Sequence, residues 1–140
     1  MTTRKANTQW KGSLMQGAGQ VTLASSGLGT YDVSWPARAE EPNGKTSPEE
    51  LIAAAHSACF SMALSHALAQ QGNAPEQLDV EASVEFVPGK GIVGIHLVAQ
   101  GQVDGIDNDD FVKAAQDAKE NCPVSQALTG TTITLDASLR

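Results

Sequence analysis

Apolar positions along this chain alternate between two spacings, and each change of spacing marks an element. The first third carries short runs rich in Val, Thr, Trp and Tyr at 8–11, 20–25 and 30–35, broken by Gly17, Gly19, Gly27 and Gly29. Runs of that kind predict a three-stranded antiparallel meander. A polar stretch with Pro36, Pro42 and Gly44 reads as a loop, and Ser47-Pro48-Glu49-Glu50 then opens a helix. Ser47 suits the N-cap, Pro48 the first helical position, and Glu50 can reach back to complete a capping box. The helix is expected to run to about Gln70, with Gly72 just past its end. Ile52, Ala55, Cys59 and Met62 follow one face, yet Leu51, Ala54, Ala58, Leu64 and Leu68 cover much of the rest. A helix apolar nearly all round must be enclosed on several sides.

Period-two alternation follows at Leu78, Val80, Ala82, Val84 and Phe86, and again at Ile95, Leu97 and Ala99, with Pro88-Gly89-Lys90-Gly91 between them. That is a hairpin. Phe111, Ala114, Ala115 and Ala118 then return to helical spacing behind acidic Asp109 and Asp110, and Cys122-Pro123 closes the helix. Ile133, Leu135, Ala137 and Leu139 alternate in a last strand. The order βββ-α-ββ-α-β places the chain in the α+β class, one domain over 1–140 with antiparallel sheets packed around a long central helix.

Composition narrows the function. The 140 residues hold 9 Lys+Arg against 16 Asp+Glu, a formal net charge of −7, with no basic cluster. Nothing here attracts a phosphate backbone or an anionic lipid surface, so neither nucleic acid nor membrane is expected as a partner. Aromatics are only 4%, which leaves a core of small aliphatics that gains from a partner subunit. Two cysteines are too few for a secreted disulfide scaffold and MTTRKANTQW shows no apolar signal segment, so a cytoplasmic protein is expected.

Candidate chemistry centres on those cysteines. Cys59 lies inside the long helix, where a thiol also serves as a small core hydrophobe. Cys122 precedes Pro123; if 123–128 begins another short helix, its position at the N-terminus favours a thiolate. His56, one turn before Cys59, raises a Cys–His hydrolase as an alternative, though no orienting third group is evident. No convincing metal-ligand set appears, and no cofactor is expected.

The run Ser47-Pro48-Glu49-Glu50-Leu51-Ile52-Ala53-Ala54-Ala55-His56-Ser57-Ala58-Cys59-Phe60-Ser61-Met62-Ala63-Leu64, with Asn121-Cys122-Pro123-Val124-Ser125 far downstream, resembles the OsmC/Ohr family of thiol-dependent hydroperoxide reductases. The likeness extends from Trp10-Lys11-Gly12 to Ile133-Thr134-Leu135-Asp136. It leans to the OsmC branch, because Arg38 stands just before the Glu-bearing helix, whereas the Ohr branch carries its arginine nearer the N-terminus. Ser47 departs from the Asn often found before the Pro-Glu pair, but both cap a helix.

The resemblance implies a two-cysteine peroxidase. Cys59 would reduce an organic hydroperoxide, Cys122 would resolve the sulfenic acid as a disulfide, and a thiol or dithiol, lipoyl-type first, would reopen it. Arg38 would hold the thiolate and Glu49 would orient Arg38. Glu49 and Cys59 stand ten residues apart, about 15 Å along one helix, so one chain cannot bring them into a common hydrogen-bonded site. An intertwined homodimer with shared sites is therefore expected: Cys59 and Cys122 from one subunit, Arg38 and Glu49 from the other. A non-catalytic, stress-related binding protein is the remaining alternative.

Overall fold

The computed structural model describes all residues, Met1–Arg140. The chain divides into two compact units, Met1–Leu51 and Ile52–Arg140, with the boundary inside the long helix.

In the first unit, β1 (Asn7–Lys11), β2 (Ala18–Thr22) and β3 (Thr30–Val33) form the expected antiparallel meander in the order β1-β2-β3. β1 ends where the pattern places it, β2 already ends at Thr22, and β3 stops at Val33 because Trp35 belongs to a helix. That helix, α1 (Trp35–Ala39), falls in the segment expected to be a loop. Ser34 Oγ caps it by accepting the Ala37 N–H at 3.2 Å, and Pro36 in its first turn gives up no hydrogen bond. Past α1 the chain is tied back to β3 where the Thr46 N–H donates to the Asp32 carbonyl at 3.0 Å.

The long helix α2 (Pro48–Gln70) starts and stops as its sequence dictates. Ser47 Oγ accepts the Glu50 N–H at 3.1 Å, but the reciprocal half of the capping box is replaced: the Glu50 carboxylate takes the Thr46 hydroxyl instead. At the far end Gly72 adopts φ +83°, the Asn73 N–H reaches the Leu68 carbonyl and the Gly72 N–H that of Ala69, a Schellman stop.

In the second unit β4 (Gln77–Val87) and β5 (Gly91–Gln102) form the hairpin, turning at Val87-Pro88-Gly89-Lys90 with Gly89 at φ +82°. Proline at the second and glycine at the third position of that turn are what a type II geometry requires. The register pairs Leu78 with Gly101, Val80 with Ala99, Ala82 with Leu97 and Val84 with Ile95, which puts the apolar set on one face. Helix α3 (Asn108–Asn121), capped by Asp107, and the short α4 (Pro123–Ala127) lead into β6 (Ile133–Leu139).

One expectation is corrected here: β6 pairs with β5 in parallel, not antiparallel. The crossover through α3 and α4 carries the chain back to the starting end of β5, and only a connection of that length permits a parallel neighbour.

The core of this unit is made by Phe60, Leu64 and Leu68 of α2, Ile95, Leu97 and Ala99 of β5, Phe111, Ala114, Ala115 and Ala118 of α3, and Cys122. The buried row of α2 is thus the i, i+4 series continued from His56, and Ala55 and Met62 of the expected face are exposed. α2 is long and apolar enough to cross a membrane by length and composition, but its Phe60, Leu64 and Leu68 are fully enclosed by protein.

Candidate active site

The expected site residues fall into two groups, one in each unit. In the first, α1 carries Arg38 in its last turn and α2 carries Glu49 in its first. Arg38 Nε donates to Glu49 Oε1 at 2.9 Å and Oε2 at 3.2 Å, while a terminal guanidinium nitrogen lies 2.8 Å from Oε1. Such a forked pair fixes the orientation of the guanidinium plane. Glu49 is only 6% exposed, whereas the Arg38 side chain retains 31% exposure, so part of the cation faces outward.

An apolar cavity of about 380 Å³ adjoins this pair, lined by Trp10, Leu14, Val21, Val33, Trp35, Pro48 and Leu51, with Arg38 its only charged residue. Trp35 lines this cavity, whereas Phe60 is fully buried core of the second unit and Met62 is 72% exposed.

In the second unit α2 presents Cys59, partly exposed, and the junction of α3 and α4 presents Cys122, wholly buried. Both are reduced. Cys122 closes α3 through its N–H to the Ala118 carbonyl and opens α4, as the Cys-Pro pair suggests. The two thiols are neighbours in the fold, close enough for Cys122 to act on Cys59, although they lie far apart in sequence. Burial pushes the Cys59 thiol up, the Cys122 thiol beside it pushes it further, and the Val124 N–H, donated to the Cys59 sulfur, opposes both.

That amide is a feature the sequence reading missed. Pro123 has no N–H, so Val124 supplies an otherwise unpaired first-turn donor of α4, and Cys122 makes no side-chain cap of its own. The donor expected to favour Cys122 is spent on Cys59.

His56 does not serve Cys59. It is completely buried, its Nε2 lies 2.8 Å from Ser125 Oγ, and its Nδ1 has no partner. Burial lowers its pKa, so it is a neutral imidazole. The nucleophile–base pair that a Cys–His hydrolase requires is absent from this arrangement. No three His, Cys, Asp or Glu side chains gather as a metal-ligand set.

Comparison with known proteins places the chain in a family. The family model described as OsmC-like protein matches residues 41–136. The chain is 41% identical over 140 residues to peroxiredoxin OsmC of Escherichia coli (strain K12), covering 98% of this chain and 96% of that one. It is 30% identical over 117 residues to the organic hydroperoxide resistance protein OhrB of Bacillus subtilis (strain 168), covering 81% and 83%. The crystal structure of the Bacillus subtilis OhrB superposes with a TM-score of 0.68 at 26% identity, over 97% of this chain and 98% of that one. The chain belongs to the OsmC family.

Proposed function

We propose that this protein is a two-cysteine peroxidase that reduces organic hydroperoxides to alcohols at the expense of a thiol. The observation that carries the reading is the Cys122 thiol lying beside that of Cys59, which puts two electrons at one place in a form that a peroxide can withdraw. The Cys59 thiolate attacks the terminal oxygen of ROOH, the O–O bond breaks, and the alkoxide leaves as ROH after taking a proton. Cys59 is then a sulfenic acid. Cys122 displaces its hydroxyl, the thiol proton leaves with it as water, and the Cys59–Cys122 disulfide forms. Two thiols from an external reductant, a lipoyl-type dithiol first among candidates, restore the pair and become a disulfide themselves. The cytoplasm, where thiol reductants are kept reduced, is the compartment that suits this cycle.

A thiol raised by burial needs a cation to react at neutral pH. We assign that role to Arg38 of a second copy, oriented by its Glu49, so that a homodimer holds two shared sites. Two features support the assignment. Glu49 and Cys59 are ten residues apart on one helix, about 15 Å of rise. The same helix leaves Ala54, Ala55, Ala58 and Met62 exposed, a small-residue apolar face suited to a partner. The cavity beside Arg38 would receive the organic tail of the peroxide, favouring bulky peroxides over hydrogen peroxide.

Titrating the reduced protein with tert-butyl hydroperoxide and recording intact mass tests the chemistry. Loss of two hydrogens in the wild type and a trapped sulfenic acid in Cys122→Ser support it; unchanged mass in both rejects it. Mixing inactive Arg38→Leu with inactive Cys59→Ser tests the shared site. Random re-pairing should restore about a quarter of wild-type activity, because half the dimers then own one complete site. No recovery from subunits shown to exchange rejects sharing.

A further inference from the structure

The buried imidazole left over from the proposed mechanism sits in a suggestive place. His56 and Cys59 are three residues apart on α2, and Cys122 and Ser125 are three apart where α3 passes into α4. Two contacts therefore join the same pair of segments one turn apart: Cys59 with Cys122, and His56 Nε2 with Ser125 Oγ at 2.8 Å. Ser125 is 5% exposed and His56 fully buried, so the second contact is shielded from water along its length.

The first contact must change in every cycle while the second need not. When Cys59 becomes a sulfenic acid, an oxygen enters between the sulfurs and their contact changes. α4 has only five residues and cannot hold its helical shape unaided. Something other than the cysteines has to keep Cys122 over the oxidised sulfur.

We propose that His56 and Ser125 are positioning residues, a hydrogen-bonded clasp that keeps the start of α4 against α2 while the disulfide closes. This rests on the two-cysteine reading. A stabilising role alone explains the imidazole poorly, because its Nδ1 is buried without a partner and an aliphatic side chain would leave no polar atom orphaned there. What an aliphatic residue lacks is the directional bond to Ser125. The clasp also keeps the Val124 N–H aimed at the Cys59 sulfur, since Val124 lies between Cys122 and Ser125.

The experiment oxidises each full-length protein rapidly with tert-butyl hydroperoxide and follows the conversion of sulfenic acid to disulfide by quenched-flow mass spectrometry. Ser125→Ala, which removes one buried oxygen, should slow closure about tenfold, the weight of one buried hydrogen bond, and should accumulate sulfinic acid at excess peroxide. His56→Leu should do the same. His56→Gln, whose terminal amide nitrogen can occupy the place of Nε2, should recover most of the rate. A wild type that closes its disulfide and a Ser125→Ala that closes it equally fast overturn the clasp alone, even if the variant melts at a lower temperature. A wild type that never forms the disulfide overturns the two-cysteine reading and the clasp together.

Discussion

The unit Ile52–Arg140 closes a core over itself, with Phe60, Leu64, Leu68, Leu97, Ala99, Phe111 and Ala115 at zero exposure. The unit Met1–Leu51 does not: of its apolar residues only Val21 and Ala37 are buried, while Trp10, Leu14, Met15, Leu28 and Tyr31 remain in solvent. Chemistry divides along the same line. The core-bearing unit holds both sulfurs, and the open unit holds the guanidinium with its carboxylate. A packed interior can hold two thiols in register, whereas a forked ion pair needs only two short helix ends to orient it. The difference teaches what the proposed shared site would gain: a cation that faces outward on one unit and sulfurs that are held still in the other.

The largest effect expected from breaking this contrast is at the nucleophile. Cys59→Ser should lower single-turnover peroxide consumption by roughly ten-thousandfold, as loss of an essential nucleophile does. Cys122→Ser should retain the first turnover and lose the following ones when only a disulfide-specific dithiol is supplied. Stopped-flow assays with one and with ten equivalents of peroxide separate the two variants.

Stability should break along the same line. Phe60→Ala removes a ring at zero exposure and should cost about 3–5 kcal/mol in urea unfolding. Trp10→Ala, at 39% exposure, should cost less than about 1 kcal/mol in dilute protein. A loss at Trp10 that grows with protein concentration would sharpen the comparison, since it would place that ring under a second copy. Arg38 comes next. Arg38→Leu should lower kcat/KM by roughly a hundredfold to a thousandfold, the weight of a donor that stabilises developing negative charge, and should also lower the melting temperature, because it leaves the buried Glu49 carboxylate without its partner. Glu49→Gln should cost less, because the arginine keeps its charge and loses only its orientation.

How much of this was legible in the sequence follows from how local each signal is. Ser47-Pro48 and Gly72 bound α2 correctly because caps act within one turn. The hairpin register was legible because Val80, Ala82 and Val84 must share a face with Ile95, Leu97 and Ala99. By contrast, α2 is apolar on every side, so nothing in its spacing says which row is buried, and the row His56, Phe60, Leu64, Leu68 emerges only from packing against β5 and α3. The parallel pairing of β6 is likewise a property of the crossover, not of its own alternation. α1 left a readable trace in Ser34 and Pro36, masked by the strand-like Trp35. The residues proposed for the site were legible as a family motif; the Val124 amide and the Ser125 hydroxyl were not, because a backbone N–H has no letter and a serine after a proline has many uses.

The smallest effect distinguishes the two units by pH. His56 is buried neutral, so its pKa in the folded protein lies below the usual histidine value of about 6.5. The unfolded chain therefore binds the proton more readily than the folded one. Stability from this residue is complete above about 6.5 and is lost as pH falls through the folded value, because the linkage slope is positive wherever the unfolded state carries more protons. Protonation would also turn Nε2 into an obligate donor and leave a charged Nδ1–H without a partner. Urea unfolding of the wild type between pH 7.5 and about 5.5 should show falling stability, and His56→Gln should flatten that slope while leaving the Arg38–Glu49 pair intact. An identical slope in both proteins would mean that the loss on acidification arises elsewhere, and that the imidazole beside Ser125 is already reached by water and protons in the native state.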